Sequence, residues 1–376
     1  MSSYEFFLNI MQYINNIVDA LNLLICCKSH YKYINLFYQL YQFNINDTIK
    51  IPKHIRKYIY NLTINNNNIY YSNDYKNLSY LTLYSSSQSL SQTSNIHSEY
   101  IESLPENITY LTISKKYKKK INKLPSNLLY LYIDNEYKLS LSNNLTNLKY
   151  LIIGKSFNYP INNFPSNIIY LELHNKHNQI YKKLPSNLLF LRINYNYDNK
   201  LYNLPKTLEF LIFDRYSKFN YSLNNLPPNL KYLVLGRYFN NSLENLPLNM
   251  THLILGENFN KSLDNLPSTM THLIFYEYSD YNKPLDKLPS TIKYLILNKS
   301  YNKPLNKLPL NIKYILINKD YKYDLSKYKN LIISNDYKNF NINKLINKYI
   351  DEKFNINNII KNFNKTFNIP NKLLFD

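Results

Sequence analysis

A proline preceded by leucine or phenylalanine returns at a near-constant interval along most of the chain, and that interval limits the fold more than any other feature. The positions are Pro105, Pro125, Pro165, Pro185, Pro205, Pro227, Pro247, Pro267, Pro289 and Pro309. The steps are 20 residues, 22 at two places, and 40 once, between Pro125 and Pro165. The long step contains a full unit in which Leu145 stands at the proline position, followed in register by Leu148, Leu151 and Ile153. A proline-free copy, Leu78 to Leu83, precedes the array and Leu331 to Ile333 reads as a decayed copy at its end, giving about twelve coils. Such a period is the mark of a solenoid, in which each coil contacts only its neighbours.

Inside a coil the residue three after the proline is apolar, as in Ile108, Leu188, Met250 and Ile312, and so are those six and eight after it, as in Leu131 with Ile133 or Leu295 with Leu297. Residues two apart lie on one face of a strand, so a short strand turns these columns into the core. An aromatic residue followed by Asn or Asp comes later, as in Phe219-Asn220, Phe239-Asn240 and Tyr281-Asn282, then an apolar residue four further on. One coil has too few apolar groups to offset the ordering of its own backbone, so only stacking is stable. Proline fixes φ and donates no hydrogen bond, which suits a chain entering a strand from a turn. Gly154, Gly236 and Gly256 all fall nine residues after the proline position, and a shared positive φ there is the expected reason.

The composition is skewed, with Tyr 41, Phe 18, Trp 0 and Gly 3. Asn, Lys, Tyr, Ile and Phe have codons rich in A and T, so the skew reads as genomic bias. The net charge of +20 is discounted for the same reason: the lysines are spread along the chain, and the one dense run, Lys115 to Lys120, sits between two repeat strands. Nucleic acid is therefore the weaker partner class, and steep salt dependence of binding would single it out. Adjacent Cys26 and Cys27 are poorly placed for a disulfide, which points to a reducing, intracellular and cytoplasmic setting. The apolar stretch Phe6 to Cys27 lacks a basic flank and is interrupted by Gln12, Asn15, Asn16, Asp19 and Asn22, so neither a signal peptide nor a membrane span is expected.

The run Phe259-Asn260-Lys261-Ser262-Leu263-Asp264-Asn265-Leu266-Pro267, followed by Met270, Leu273 and Phe275, resembles the FNIP repeat, a leucine-rich-repeat relative found in social amoebae and in giant viruses of amoebae. The resemblance covers most of residues 51–335 and implies leucine-rich-repeat-like coils sharing one parallel β-sheet; a viral chain would act in the host-cell cytoplasm. Proteins of that family often begin with an F-box, and residues 5–45 are similar to one: Phe6, Phe7, Ile10, Met11 and Ile14, then Asp19, Leu21, Leu23, Leu24, Cys27, Lys28 and Tyr31 read as two amphipathic helices. The usual opening Leu-Pro is missing. In an F-box such apolar residues hold a ubiquitin-ligase adaptor, which assigns that role to Phe6, Phe7, Ile10, Ile14, Leu21, Leu23 and Leu24; otherwise the helices cap the first coil. Ile342, Leu345, Ile346, Tyr349 and Ile350 recur at helical spacing, and a helix there is expected to close the last coil. The expected layout is 1–45 F-box-like domain or cap, 46–335 solenoid, and 336–376 C-terminal helical cap.

No catalytic or cofactor-binding pattern can be phased onto the coils, and an enzyme is not expected. His174 and His177 have a metal-ligand spacing but lack a third ligand in register. The columns five and seven after the proline point away from the core by alternation. In the later coils they comprise Phe210, Ile212, Tyr232, Val234, His252, Ile254, His272, Ile274, Tyr294, Ile296, Tyr314 and Leu316. Two readings stand for them: an exposed surface for a protein partner, or a stacked ladder that stabilises neighbouring strands. The function expected is protein binding, as substrate receptor of a cullin-RING ubiquitin ligase of the F-box type or as a scaffold with no ligase role.

Overall fold

The computed structural model describes residues 43–45, 61–65, 78–84, 100–115, 117, 120–134, 139, 141, 144–157, 159–161, 163–174, 181, 183–326, 328, 332–334, 337 and 340–354. The chain divides into two compact units, residues 1–128 with 360–376, and residues 129–359. The expected adaptor-binding residues, Phe6 to Leu24, lie outside the described residues, as do Cys26, Cys27 and His177.

In the first unit, strands β1 (Phe43–Ile45), β2 (Asn61–Asn65), β3 (Tyr80–Tyr84) and β5 (Tyr110–Ile113) pair in parallel in that order. Strands β1 and β2 precede the earliest copy legible in the sequence. β4 (Tyr100–Ser103) and β6 (Lys120–Lys123) form a separate parallel pair.

The second unit carries a continuous parallel ladder. Its strands are β7 (Tyr130–Ile133), β8 (Tyr150–Ile153), β9 (Tyr170–Leu173), β10 (Phe190–Ile193), β11 (Phe210–Phe213) and β12 (Tyr232–Val234). Then come β13 (His252–Leu255), β14 (His272–Phe275), β15 (Tyr294–Ile296), β16 (Tyr314–Leu316) and β17 (Ile332–Ser334). Each strand pairs with the next, with equivalent residues opposite one another: Leu191 faces Leu211, Leu211 faces Leu233, Leu233 faces Leu253. The repeat therefore sets the register, and every column of the sequence becomes a row of like side chains. The decayed copy still takes its place, with Ile333 opposite Ile315.

The turn into each strand shows what the proline does. Its carbonyl accepts the N–H of the residue three on, as in Ile108 to Pro105 at 3.2 Å and Leu208 to Pro205 at 3.0 Å. Leu148 makes the same bond to Leu145 at 3.2 Å, so the turn forms without proline, which serves to pre-set φ. Polar side chains tie successive turns together: Asn229 Nδ2 donates to the Lys206 carbonyl at 3.0 Å, and Thr269 Oγ1 to that of Met250 at 2.7 Å. The asparagines after the aromatic column form a second ladder, the Asn240 and Asn260 amides donating to Asn220 Oδ1 and Asn240 Oδ1 at 2.9 and 3.0 Å. Asn220, Asn240 and Asn282 thus satisfy backbone groups at their bends, which a genomic bias alone does not explain.

The core consists of the inner strand columns and the aromatic column. Phe219, Phe239, Phe259, Tyr281 and Tyr301 are buried and stack at centroid spacings of 6.2–6.4 Å. The two 22-residue coils insert a buried serine, Ser217 or Ser279, whose Oγ accepts the N–H of Phe219 or Tyr281 at 3.3 Å. That bond returns the aromatic ring to its column despite the insertion.

Two expectations about this frame are corrected. No glycine has positive φ among the described residues; that conformation falls on Asn203, at 51°. The glycines answer instead to close approach between coils: a Cβ on Gly236 would lie 2.7 Å from the Asp214 carbonyl oxygen, and one on Gly256 would collide with the Gly236 carbonyl. The C-terminal helix, α1 (Ile342–Phe354), exists, but its contacts lie well inside the ladder, against the outer face of β9–β11, rather than forming a lid on the last coil. Its first turn is capped by Asn341, whose Oδ1 accepts the Lys344 amide at 2.9 Å.

Candidate functional site

Alternation places the two outer columns on the sheet face opposite the core, as expected, but it does not leave them open. Ile212, Val234, Ile254, Ile274, Ile296 and Leu316 are all buried, and so is Phe210. His252 sits at the edge of burial, Tyr232, His272 and Tyr314 are half-buried, and Tyr294 is the most open of the set at 37% exposure. Strands about 4.8 Å apart bring each side chain against its counterparts on both sides, and Phe354 of α1 stands over Phe210 at 5.6 Å. The rings stack as a ladder: Phe210 on Tyr232 at 4.2 Å, then His252 at 4.3 Å, His272 at 4.0 Å and Tyr294 at 4.4 Å. Burial pushes His252 down to about 3, with the charge of His272 adding to it, and pushes His272 down to about 4, with Lys293 adding to it.

Further back along the ladder, an ionic cluster interrupts this apolar face. Burial of Glu172 opposes ionisation, but Arg192, His174 and Tyr170 outweigh it and hold the carboxyl at about 2. Arg192 Nη1 lies 3.6 Å from Glu172 Oε2, His174 Nε2 lies 2.5 Å from the same oxygen, and the Tyr170 hydroxyl donates to Oε1. His174 is thus committed to a carboxylate. Among the described residues no group of three His, Cys, Asp or Glu is placed to hold a metal ion.

An open row of charged and aromatic residues lies at the C-terminal ends of the strands, at a phase of the repeat that the sequence alone did not single out. The residues ten after the proline form a charged row, Arg215, Arg237, Glu257, Glu277 and Lys299. Arg215 Nη2 and Arg237 Nε reach the two oxygens of the buried Glu257 at 2.8 and 3.1 Å, so one carboxylate holds guanidinium groups from two preceding coils. Lys299 pairs with Glu277. One residue further on stand Tyr216, Tyr238 and Tyr278, exposed at 54%, 44% and 62%. The cations lie beside these rings: Arg215 at 5.5 Å from Tyr216, Arg237 at 5.9 Å from Tyr238, Lys299 at 5.3 Å from Tyr278. Next to Tyr238 a depression of about 520 Å³ is lined by Lys218, Asn220, Tyr238, Asn240 and Asn258. The signal was present as a charge-then-tyrosine pair recurring at one phase of the repeat.

A parallel ladder with in-register coils, an inward leucine-rich face and an asparagine-tied bend defines a leucine-rich-repeat-like solenoid. The family model of the FNIP Repeat matches residues 244–278, the stretch that carries Pro247, Phe259 and Pro267. No curated protein matches the chain in sequence. Among solved structures, CroV588, described as a novel circular leucine-rich-repeat protein, is similar with a TM-score of 0.52 and 22% identity, over 72% of this chain and 48% of that one. The chain thus spans about half the length of CroV588, and the likeness shows the fold. YopM from Yersinia enterocolitica matches with a TM-score of 0.42 and 20% identity over 69% of this chain and 58% of that one. An internalin, inlF, from Listeria monocytogenes matches at 0.49 and 16% over 81% and 93%. No helix among the described residues is long and apolar enough to cross a membrane.

Proposed function

We propose that the protein is a non-enzymatic, intracellular binding solenoid and that it meets its protein partner along the edge at the C-terminal ends of β11–β15. The observation that carries this reading is the row of exposed Tyr216, Tyr238 and Tyr278 beside guanidinium and ammonium groups already held by Glu257 and Glu277. Tyrosine and arginine are the residue types that dominate binding energy at interfaces. Ion pairs formed in advance lower the ordering cost of association. Affinity purification from the native cell, comparing the wild type with a chain bearing Tyr216→Ala, Tyr238→Ala and Tyr278→Ala, tests it. The partner recovered with the wild type is expected to be lost from the triple variant while circular dichroism is unchanged; retention of the partner by the variant would refute the assignment.

A finer reading makes the chain the substrate receptor of a cullin-RING ubiquitin ligase, supported by the F-box-like pattern of Phe6, Phe7, Ile10, Ile14, Leu21, Leu23 and Leu24. The alternative is a scaffold with no ligase role. Co-purification of the ligase adaptor with the full chain, and its loss on removal of residues 1–45 with the solenoid still folded, separates the two.

A further inference from the structure

The outer sheet face over β9–β11 already holds a helix. Ile346, Ile350 and Phe354 of α1 are buried, and the Phe354 ring stands edge-on to Tyr170, Phe190 and Phe210 at centroid distances of 5.4, 5.7 and 5.6 Å. Polar contacts orient it: Lys353 Nζ lies 2.6 Å from Glu209 Oε2, and Arg192 Nη2 donates to Asn347 Oδ1 at 3.5 Å. The fit is that of an amphipathic helix entering a groove, with an aromatic anchor at its last turn and a cation beside it.

Four features mark this helix as an exchangeable occupant rather than a fixed layer of the core. It has 13 residues, a length at which an isolated helix is marginal in water, so it depends on the groove. Its backbone bonds close within itself, so its departure breaks no bond of the β ladder. Beneath it lie the charged pair Glu172 and Arg192, costly in a permanently dry interface and readily solvated on a face that opens. The aromatic residues it covers also stack on one another, Tyr170 on Phe190 at 4.2 Å, a contact in which α1 takes no part.

We infer that the outer face over β9–β11 is a receptor groove for an amphipathic helix of a partner protein, one with an aromatic anchor and an adjacent cation, and that α1 occupies the groove until such a helix displaces it. This rests on the reading of the chain as a protein-binding solenoid, but on a surface separate from the Tyr216, Tyr238 and Tyr278 edge.

The test uses the full chain and a fluorescent peptide of residues 341–354, read by anisotropy. The resident helix competes with the peptide, so a full-length Phe354→Ala chain is expected to bind the wild-type peptide about tenfold more tightly than the wild-type chain does. A full-length Lys353→Glu chain, altered at a partly exposed position that leaves the apolar packing intact, is expected to shift the same way. A peptide carrying Phe354→Ala is expected not to bind, and a Tyr238→Ala chain to behave as wild type, which keeps failure of the groove distinct from failure of the edge. If neither opened chain binds the peptide more tightly than the wild type while the ladder amides stay protected from exchange, α1 is a fixed part of the fold and the inference falls. A wild-type dimer held by exchanged α1 helices would overturn it too, since the groove would then serve a second copy.

Discussion

Substituting Gly256 by alanine is expected to loosen the solenoid locally and severely. A Cβ built there collides with the Gly236 carbonyl oxygen and lies 2.5 Å from its carbon and 3.0 Å from Arg237 Cα. Ordinary carbon–oxygen contacts are about 3.3 Å or longer, so the two coils would have to part by roughly an ångström. The obstructing atoms are main chain, with no rotamer through which to escape. Overpacking costs about 1–3 kcal/mol where side chains can yield, and more where they cannot. Separation would also strain the Asn258 to Arg237 bond and the Leu235 to Ile254 bond, both at 2.9 Å and each worth about 1 kcal/mol. The expected total is about 3–5 kcal/mol. Repeat arrays do not unfold as one block, so hydrogen exchange is the proper assay: protection should fall across β12–β14 and persist in β9 and β10. The Gly256→Asn chain is the discriminating control, because asparagine tolerates left-handed backbone. If asparagine is accepted while alanine is not, the need is conformational and the steric account is wrong; a neutral Gly256→Ala would refute it outright.

Two further outcomes follow from burial on the outer face. Leu233→Asp places a charge in the core and should unfold several coils, while Val234→Asp, on the opposite but equally covered face, should cost about 2–4 kcal/mol in denaturant titration; a change within about 0.5 kcal/mol would show that face to be open. The neutral His252 and His272 bind protons more readily once unfolded, since their folded values lie near 3 and 4, below the ordinary 6.5. Their contribution is complete above about pH 6.5 and is lost as pH falls below it, together roughly 2–4 kcal/mol by pH 5 after allowing for the water that reaches His272. Melting of the wild type against a His252→Phe and His272→Phe double variant between pH 7 and 5 checks this, and equal slopes would remove the histidines as the cause.

Much of the architecture was legible in the residues themselves. The phase of Pro185, Leu188, Leu191 and Ile193 contains the turn, the strand, its inner face and, by repetition, the register against Leu211 and Phe213. A solenoid lends itself to this because each coil touches only its neighbours, so local pattern and tertiary contact share one period. What escaped were features that do not repeat or that depend on distance between coils. The spacing of Gly236 and Gly256 marked a special position, but only the stacking revealed that a carbonyl occupies the place of a Cβ. The amphipathic period of Ile342, Leu345, Ile346, Tyr349 and Ile350 called for a helix, yet no local rule says which apolar face it seeks, and β9–β11 received it through Phe354 and Lys353. The paired Arg215 and Arg237 on Glu257 likewise exist only because successive coils bring one phase of the repeat together in space. Sequence periodicity determined which residues share a row; close packing of the folded chain decided which rows are buried, which carry charge pairs, and which are left exposed.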